Sequence, residues 1–257
     1  TKRTESKQGT SYDITAREFA YDDVNFDTGL RELLVNEDAF DYNIREEYDT
    51  FYGDAPDGKT VRVIIASGVL VTATTTANAA IVFGSFPSDT VLEIVVNGIV
   101  AGRGGAGSSQ PFGTGTQIPA TGGGLAISSN RPAVLTIQSG GKIAGGGGGG
   151  GGGEYTVGLG FTRMSGGGGG APYGAGGEPV TLDSLGGGED GGRLLGGAGG
   201  TGSGSAAGKG GDIGQFGASG NWPSAPANQG AGIGSAITGA AFLTIINNGQ
   251  IIGAIIS

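Results

Sequence analysis

The chain contains no cysteine and no histidine. The first absence excludes a disulfide framework and thiolate chemistry. The second removes the commonest general base and the commonest zinc ligand, and leaves any serine nucleophile without its usual partner. Its apolar runs fall far short of the ~18 residues that span a bilayer, and no signal-peptide pattern is visible. A net charge of −9 argues against a nucleic-acid partner. Only 9 prolines occur and no Gly-X-Y period runs through the chain, which excludes collagen. The first residue is Thr1 rather than Met, as expected of a processed protein or a piece of a longer one.

Glycine is abundant instead, 60 of 257 residues, against the ~7% usual in globular proteins. Gly145 to Gly153 is an unbroken run, flanked by Val134-Leu135-Thr136-Ile137 and by Glu154-Tyr155-Thr156-Val157. Each glycine ordered on folding loses more conformational freedom than any other residue. Such a tract is therefore either a flexible linker or a structure that only glycine permits. A linker does not explain tracts that recur after strands, nor the apolar Ile251, Ile252, Ile255 and Ile256 beyond them. The alternative is an extended helix of the polyproline II type built from glycine, which neighbours can approach backbone to backbone. Gly166–Gly170, Gly186–Gly188 and Gly196–Gly200 would supply further rods.

Composition divides the chain in three. Most of the 23 acidic residues lie in positions 1–60. Residues 1–58 read as an acidic, extended docking segment with too little apolar content for a core of its own. Tyr12, Ile14, Phe19, Tyr21 and Phe26 would anchor it, and Leu30–Leu34 and Ile44–Tyr48 could form short helices. Residues 59–101 read as an antiparallel β neck, because Thr60–Ile65, Val69–Thr76, Ala79–Phe83 and Val91–Val96 are β-branched runs between turn signals. Asn97-Gly98 between two apolar runs is the strongest short hairpin signal. Residues 102–257 form the glycine-rich tip. The expected fold is thus mainly β: a small antiparallel unit followed by a bundle of polyglycine II helices with loop tips.

A cassette repeats. Val91–Gly102 matches Val134–Gly145, and both match Phe242–Gly253. Each is a strand, a glycine-containing turn and a short strand. The unequal spacing argues against a strict solenoid and for strand cassettes with variable glycine-rich insertions.

Catalytic motifs fail. Gly102-Arg103-Gly104-Gly105-Ala106-Gly107 satisfies G-x-G-x-x-G, but Ser108-Ser109-Gln110-Pro111-Phe112-Gly113 after it is no helix. Gly208-Lys209 lacks the remainder of a P-loop. Asp183, Glu189 and Asp190 lack calcium-loop spacing. No enzyme activity, cofactor or metal is expected. The inter-tract loops carry instead apolar and aromatic residues: Phe112, Tyr155, Phe161, Met164, Tyr173, Leu194, Phe216 and Trp222. Aromatics on the turns of a rigid scaffold make a recognition surface, or else cap the bundle.

The units Leu-Thr-Ile-x-x-x-Gly-x-Ile-x-Gly-Gly at 135–146 and, with alanine last, 243–254 resemble the glycine-rich tail-fibre adhesins of T-even-like bacteriophages. That resemblance implies a lattice of glycine helices whose connecting loops bind a host outer-membrane protein; a surface glycan would engage aromatic loops as well. Ser11–Phe19, leading to Asn25-Phe26-Asp27, is similar to a segment of lambda-like host-specificity tail tip proteins, which implies a homotrimer. Together the resemblances imply a virion protein at the distal end of the tail, in contact with other phage tail proteins. No fibre-attachment domain is evident, which suits the C-terminal end of a tail tip protein. A structural or ice-binding glycine-helix protein is the alternative, with the loop aromatics against it.

Overall fold

The computed structural model describes residues 4–6, 9–11, 29–53, 55–110, 116–157, 161–179, 185–202, 205–221 and 228–257, with the side chains of 4–6, 9–11, 155–157 and 161–162 excepted. The proposed anchors Tyr12, Ile14, Phe19, Tyr21 and Phe26 lie outside the described residues. β1 (Thr4–Ser6) and β2 (Gly9–Ser11) form a small antiparallel hairpin.

The rest is wound as five coils, each giving one strand to each of three five-stranded parallel sheets. Coil 1 is β3 (Leu30–Val35), β4 (Ala39–Phe40) and β5 (Tyr42–Asn43). Coil 2 is β6 (Thr60–Ile65), β7 (Leu70–Thr72) and β8 (Ala79–Val82). Coil 3 is β9 (Val91–Val96), β10 (Ile99–Ala101) and β11 (Leu125–Ser128). Coil 4 begins with β12 (Ala133–Ile137) and β13 (Lys142–Ala144). A long glycine-rich insertion follows, carrying β14 (Gly153–Val157), β15 (Phe161–Ser165), β16 (Thr201–Gly202) and β17 (Ser205–Ala206). The coil then closes with β18 (Ile237–Thr238). Coil 5 is β19 (Leu243–Asn247), β20 (Gln250–Ile252) and β21 (Ile255–Ile256). A shorter insertion, 102–124, separates β10 from β11.

This overturns the expected antiparallel unit. β6 pairs with β3 and β9, and both partners are parallel to it. Asn97-Gly98 is a corner between two sheets, not a hairpin. A type I′ turn needs positive φ at both central residues, and Gly98 is not in that region. Its glycine serves another need: a Cβ there would lie 2.4 Å from the Ala66 carbonyl oxygen of the coil below. Leu30–Leu34, read as a possible helix, is strand, because its alternate residues Leu33 and Val35 face the core. Ile44–Tyr48 is helical, within α1 (Ile44–Phe51).

The expected bundle of polyglycine II helices is not seen either. Among the described residues α1 is the only α-helix and Ala240–Phe242 a 3-10 turn; the glycine tracts carry none. Their backbone groups bond sideways to neighbouring segments, so they stand as extended strands of chain in a laterally linked array.

Columns of side chains fill the solenoid. Leu33, Val63, Ile94, Leu135 and Ile245 stack through the first sheet, and Val35, Ile65, Val96 and Ile137 run beside them. Val71, Val100 and Ile143 line the second sheet, and Tyr42, Ile81, Ile127 and Ile237 the third. Burying each such side chain stabilises by about 1.5–3 kcal/mol. The repeat read from sequence is therefore the coil itself. Its second half aligns as expected, Ile99 beside Lys142 and Gln250. Its first half is displaced by two residues, Leu135 pairing with Ile94 rather than Leu92, because the corner 138–141 is longer than the corner 97–98.

Coil 1 is sealed. Asn43 caps α1 through Arg45 N–H, and Ile44 and Tyr48 bury against the coil. The Tyr52 hydroxyl accepts from Glu32 N–H at 2.9 Å and donates to Glu32 O at 2.8 Å, occupying the free edge of β3.

Candidate functional site

The two insertions leave the solenoid between the second and third sheets and meet in one array. Gly145 to Gly151 runs through its middle. The amides of Gly145, Gly148 and Gly151 donate to Ile252, Gln215 and Ala218. Those of Gly146 and Gly149 donate to Gly124 and Thr121, and those of Gly147 and Gly150 to Ala171 and Gly168. In return its carbonyls accept from Gly105, Ser108, Gly208, Gly211, Gly214, Ala231 and Gly234. From Gly146 onward, residues three apart thus face the same neighbouring segment, while Gly145 still bonds to the solenoid at Ile252. The run is enclosed on all sides by other backbones, and a Cβ on any of its members would lie 1.9–2.2 Å from one. Only glycine allows this separation, and it satisfies buried polar groups that would otherwise be costly.

The array has a near end and a far end. Near Gly145, small residues let it lie on the second sheet: Ala101, Ala144, Ala171, Ile213 and Leu70 form a separate buried cluster. Arg193 clamps this end to coil 1, donating from Nε and Nη2 to the two Asp38 carboxylate oxygens at 2.7 Å each, and from Nη2 to Gly68 O at 2.6 Å. The Arg193 hydrogen bond holds the Asp38 carboxyl below its ordinary value. Tyr173 packs on Phe40 at 6.0 Å, with the Arg103 guanidinium 5.5 Å above its ring.

From Gly145 to Gly153 the chain covers at most about 30 Å, and at that far end the loops converge. Gln117 Nε2 donates to Glu154 Oε1 at 3.4 Å, and Asn221 Nδ2 to Glu154 O at 2.9 Å. Gln110 N–H donates to Glu178 O, and Glu178 N–H to Ser109 Oγ. Asn221 N–H donates to Ala206 O. Beneath them Ser165 and Ser205 hydroxyls, 2.6 Å apart and buried, bond to Gly153 O. Described residues of five segments, Ser109, Gln110 and Gln117, Glu154 and Ser165, Glu178, Ser205 and Ala206, and Asn221, are thereby tied together at this end, with Ile118 46% exposed beside them.

The eight residues singled out from sequence separate. Phe112 and Trp222 lie outside the described residues, although their flanks Ser109, Ile118 and Asn221 are at the far end. Tyr155 and Phe161 belong to the far-end hairpin β14–β15, where Tyr155 pairs with Arg163 and Phe161 with Val157. Met164, on the same hairpin, is fully buried against Gly152. Tyr173, Leu194 and Phe216 sit at the near end, beside the solenoid. Gln117, Glu154 and Asn221 were missed. Glu154 had a signal, since it ends the nine-glycine run. Among the described residues, no group of three or more His, Cys, Asp or Glu could hold a metal ion, and no helix is long and apolar enough to cross a membrane.

A solenoid closed over at coil 1 and bearing a closely packed array with loops gathered at its free end places this chain among β-solenoid proteins with a glycine-rich appendage. The comparisons with known proteins agree. The model of the phage tail fibre adhesin Gp38 family matches residues 31–256. A crystal structure of the gp37–gp38 adhesin tip complex of the bacteriophage S16 long tail fibre is similar at TM-score 0.60 and 27% identity, over 88% of this chain and 82% of that one. No curated protein matches the sequence. The chain belongs to the phage tail fibre adhesin Gp38 family, and is a virion protein of the distal tail.

Proposed function

We propose that this adhesin binds a host surface receptor, a protein or a glycan, through the loops at the far end of the glycine array, without catalysis. The observation that carries this is the convergence of the described residues of five loops, around Gln110 and Gln117, Glu154, Glu178, Ala206 and Asn221, on one end of a scaffold whose backbones are closely packed. Loops held by a rigid frame can vary in sequence without disturbing it, and rigid loops lose little freedom on binding. Of the sequence candidates, Tyr155, Phe161, Phe112 and Trp222 belong to these loops by position. The other end faces the virion, where the chain meets other tail proteins.

Replacing loop 154–165 or 219–229 with a glycine–serine segment should abolish adsorption to host cells while particles still assemble. If each of the five loops is replaced in turn and adsorption is unchanged, the reading fails.

A further inference from the structure

Coils 2 to 5 each turn their first corner on a glycine: Gly68, Gly98, Gly141 and Gly249. The last three stand where no side chain fits. A Cβ on Gly98, Gly141 or Gly249 would lie 2.1–2.4 Å from a carbonyl oxygen of the coil below. At two of these corners the residue before the glycine is asparagine, and Asn97-Gly98 and Asn248-Gly249 are the only Asn-Gly pairs in the chain. A glycine has no side chain to shield its amide nitrogen, so in this pair the nitrogen most readily reaches the asparagine Cγ.

The two pairs differ in what covers them. Asn97 is half-buried, with its N–H and Nδ2 both donating to Ile65 O, at 2.9 Å and 3.3 Å. Coil 4 lies over it, since Gln138 N–H donates to Val96 O and Lys142 N–H to Gly98 O. Asn248 is exposed, on a coil whose strands β19, β20 and β21 end their sheets. Its N–H donates to Ile137 O, but among the described residues no hydrogen bond holds its side chain. Gly249 N–H donates to Asn247 Oδ1 at 3.0 Å, in an exposed bond that water can replace.

We infer that Asn248 is a site of spontaneous modification, its reactants the Asn248 side chain, the Gly249 amide and water, and that coil 4 protects Asn97 from the same reaction. The Gly249 nitrogen gives its proton to solvent and attacks Asn248 Cγ. A C–N bond forms as the Cγ–Nδ2 bond breaks, and Nδ2 departs as ammonia, taking a proton back from solvent. Water then opens the cyclic imide at one carbonyl or the other, leaving aspartate or isoaspartate. Both products put a carboxylate into a stretch that has no charged residue after Asp212. Isoaspartate also adds a backbone carbon between Asn247, opposite Ile137, and Gln250, opposite Lys142. The register of β20 on β13 is then lost, and Ile251 and Ile252 leave their places beside Ile143 and Ala144.

The test holds the purified 257-residue chain in mildly alkaline buffer made with oxygen-labelled water, followed by peptide mass mapping. Label should enter at Asn248 at least about tenfold faster than at Asn97, because only Asn97 requires an inner coil to open. In denaturant the two rates should converge. Isoelectric focusing should show an acidic species that grows with time in the parent and is missing from Asn248→Ser, a change on an exposed side chain. Hydrogen exchange of residues 250–256 should be faster in the aged protein than in the fresh one. Equal rates at the two sites in the folded chain overturn the inference, as does labelling of Asn248 only in denaturant, or the same acidic species in Asn248→Ser. Unchanged exchange overturns the loss of register.

Discussion

Replacing Gly149 by alanine is the sharpest probe of the glycine array. The added methyl carbon would stand 1.9 Å from the Ala106 carbonyl oxygen, 2.4 Å from its carbon and 2.9 Å from the Gly107 nitrogen. Ordinary contact begins near 3.4 Å, so two backbone segments must part by on the order of 1.5 Å. Gly149 N–H donates to Thr121 O at 3.0 Å, and Gly149 O accepts from Ala231 N–H at 2.9 Å. A shift of that size weakens both bonds in a site from which water is excluded. Overpacking alone costs about 1–3 kcal/mol, and each buried polar group left unpaired about 1–3 kcal/mol. We expect a loss of about 3–6 kcal/mol. At ~2–4 °C per kcal/mol for a chain of this size, the melting temperature should fall by roughly 6–24 °C. Gly232→Ala is the control. A Cβ there meets only the edge of the Phe216 ring at 3.9 Å, so its effect should stay within about 0.5 kcal/mol. Thermal unfolding of the 257-residue chain followed by circular dichroism separates the two. Equal melting temperatures for both variants would refute the packed array at Gly149.

Ile137→Ala should destabilise by about 2–5 kcal/mol in chemical denaturation, since the side chain is fully buried in the column above Val96, whereas Thr136→Ala on the outer face of the same strand should stay within about 0.5 kcal/mol. The Arg193–Asp38 clamp should be acid-sensitive. Its stabilisation is fully present above the ordinary carboxylate value near 3.9 and is lost as pH falls through the lowered folded-state value. Both partners are more than a third exposed, so the coupling measured by a double-mutant cycle should be below about 1 kcal/mol, and the stability gap between the parent and Arg193→Ala should close in acid.

The amino-acid sequence by itself determined that this is a mainly β adhesin without thiol or imidazole chemistry, built from a repeated strand unit and from tracts that tolerate no side chain. Those properties are local: an absent residue type is absent in any fold, and alternation such as Val61, Val63, Ile65 marks a strand wherever it is placed. The family resemblance was legible for the same reason, in Leu135–Gly146 and Leu243–Ala254. Tertiary structure decided the rest. A strand, a glycine turn and another strand spell a hairpin and a solenoid corner alike. The choice falls on whether Val96 faces its own continuation or Ile65 and Ile137 of the adjoining coils. A run of nine identical glycines likewise says nothing about which neighbours it will meet, so no reading of it could place Thr121, Gln215 and Ala171 around it. Nor could the loops be sorted by composition. Tyr173 and Phe216 read like Tyr155 and Phe161, and only the direction of each extended segment left the first pair toward the near end of the array and the second at the free end.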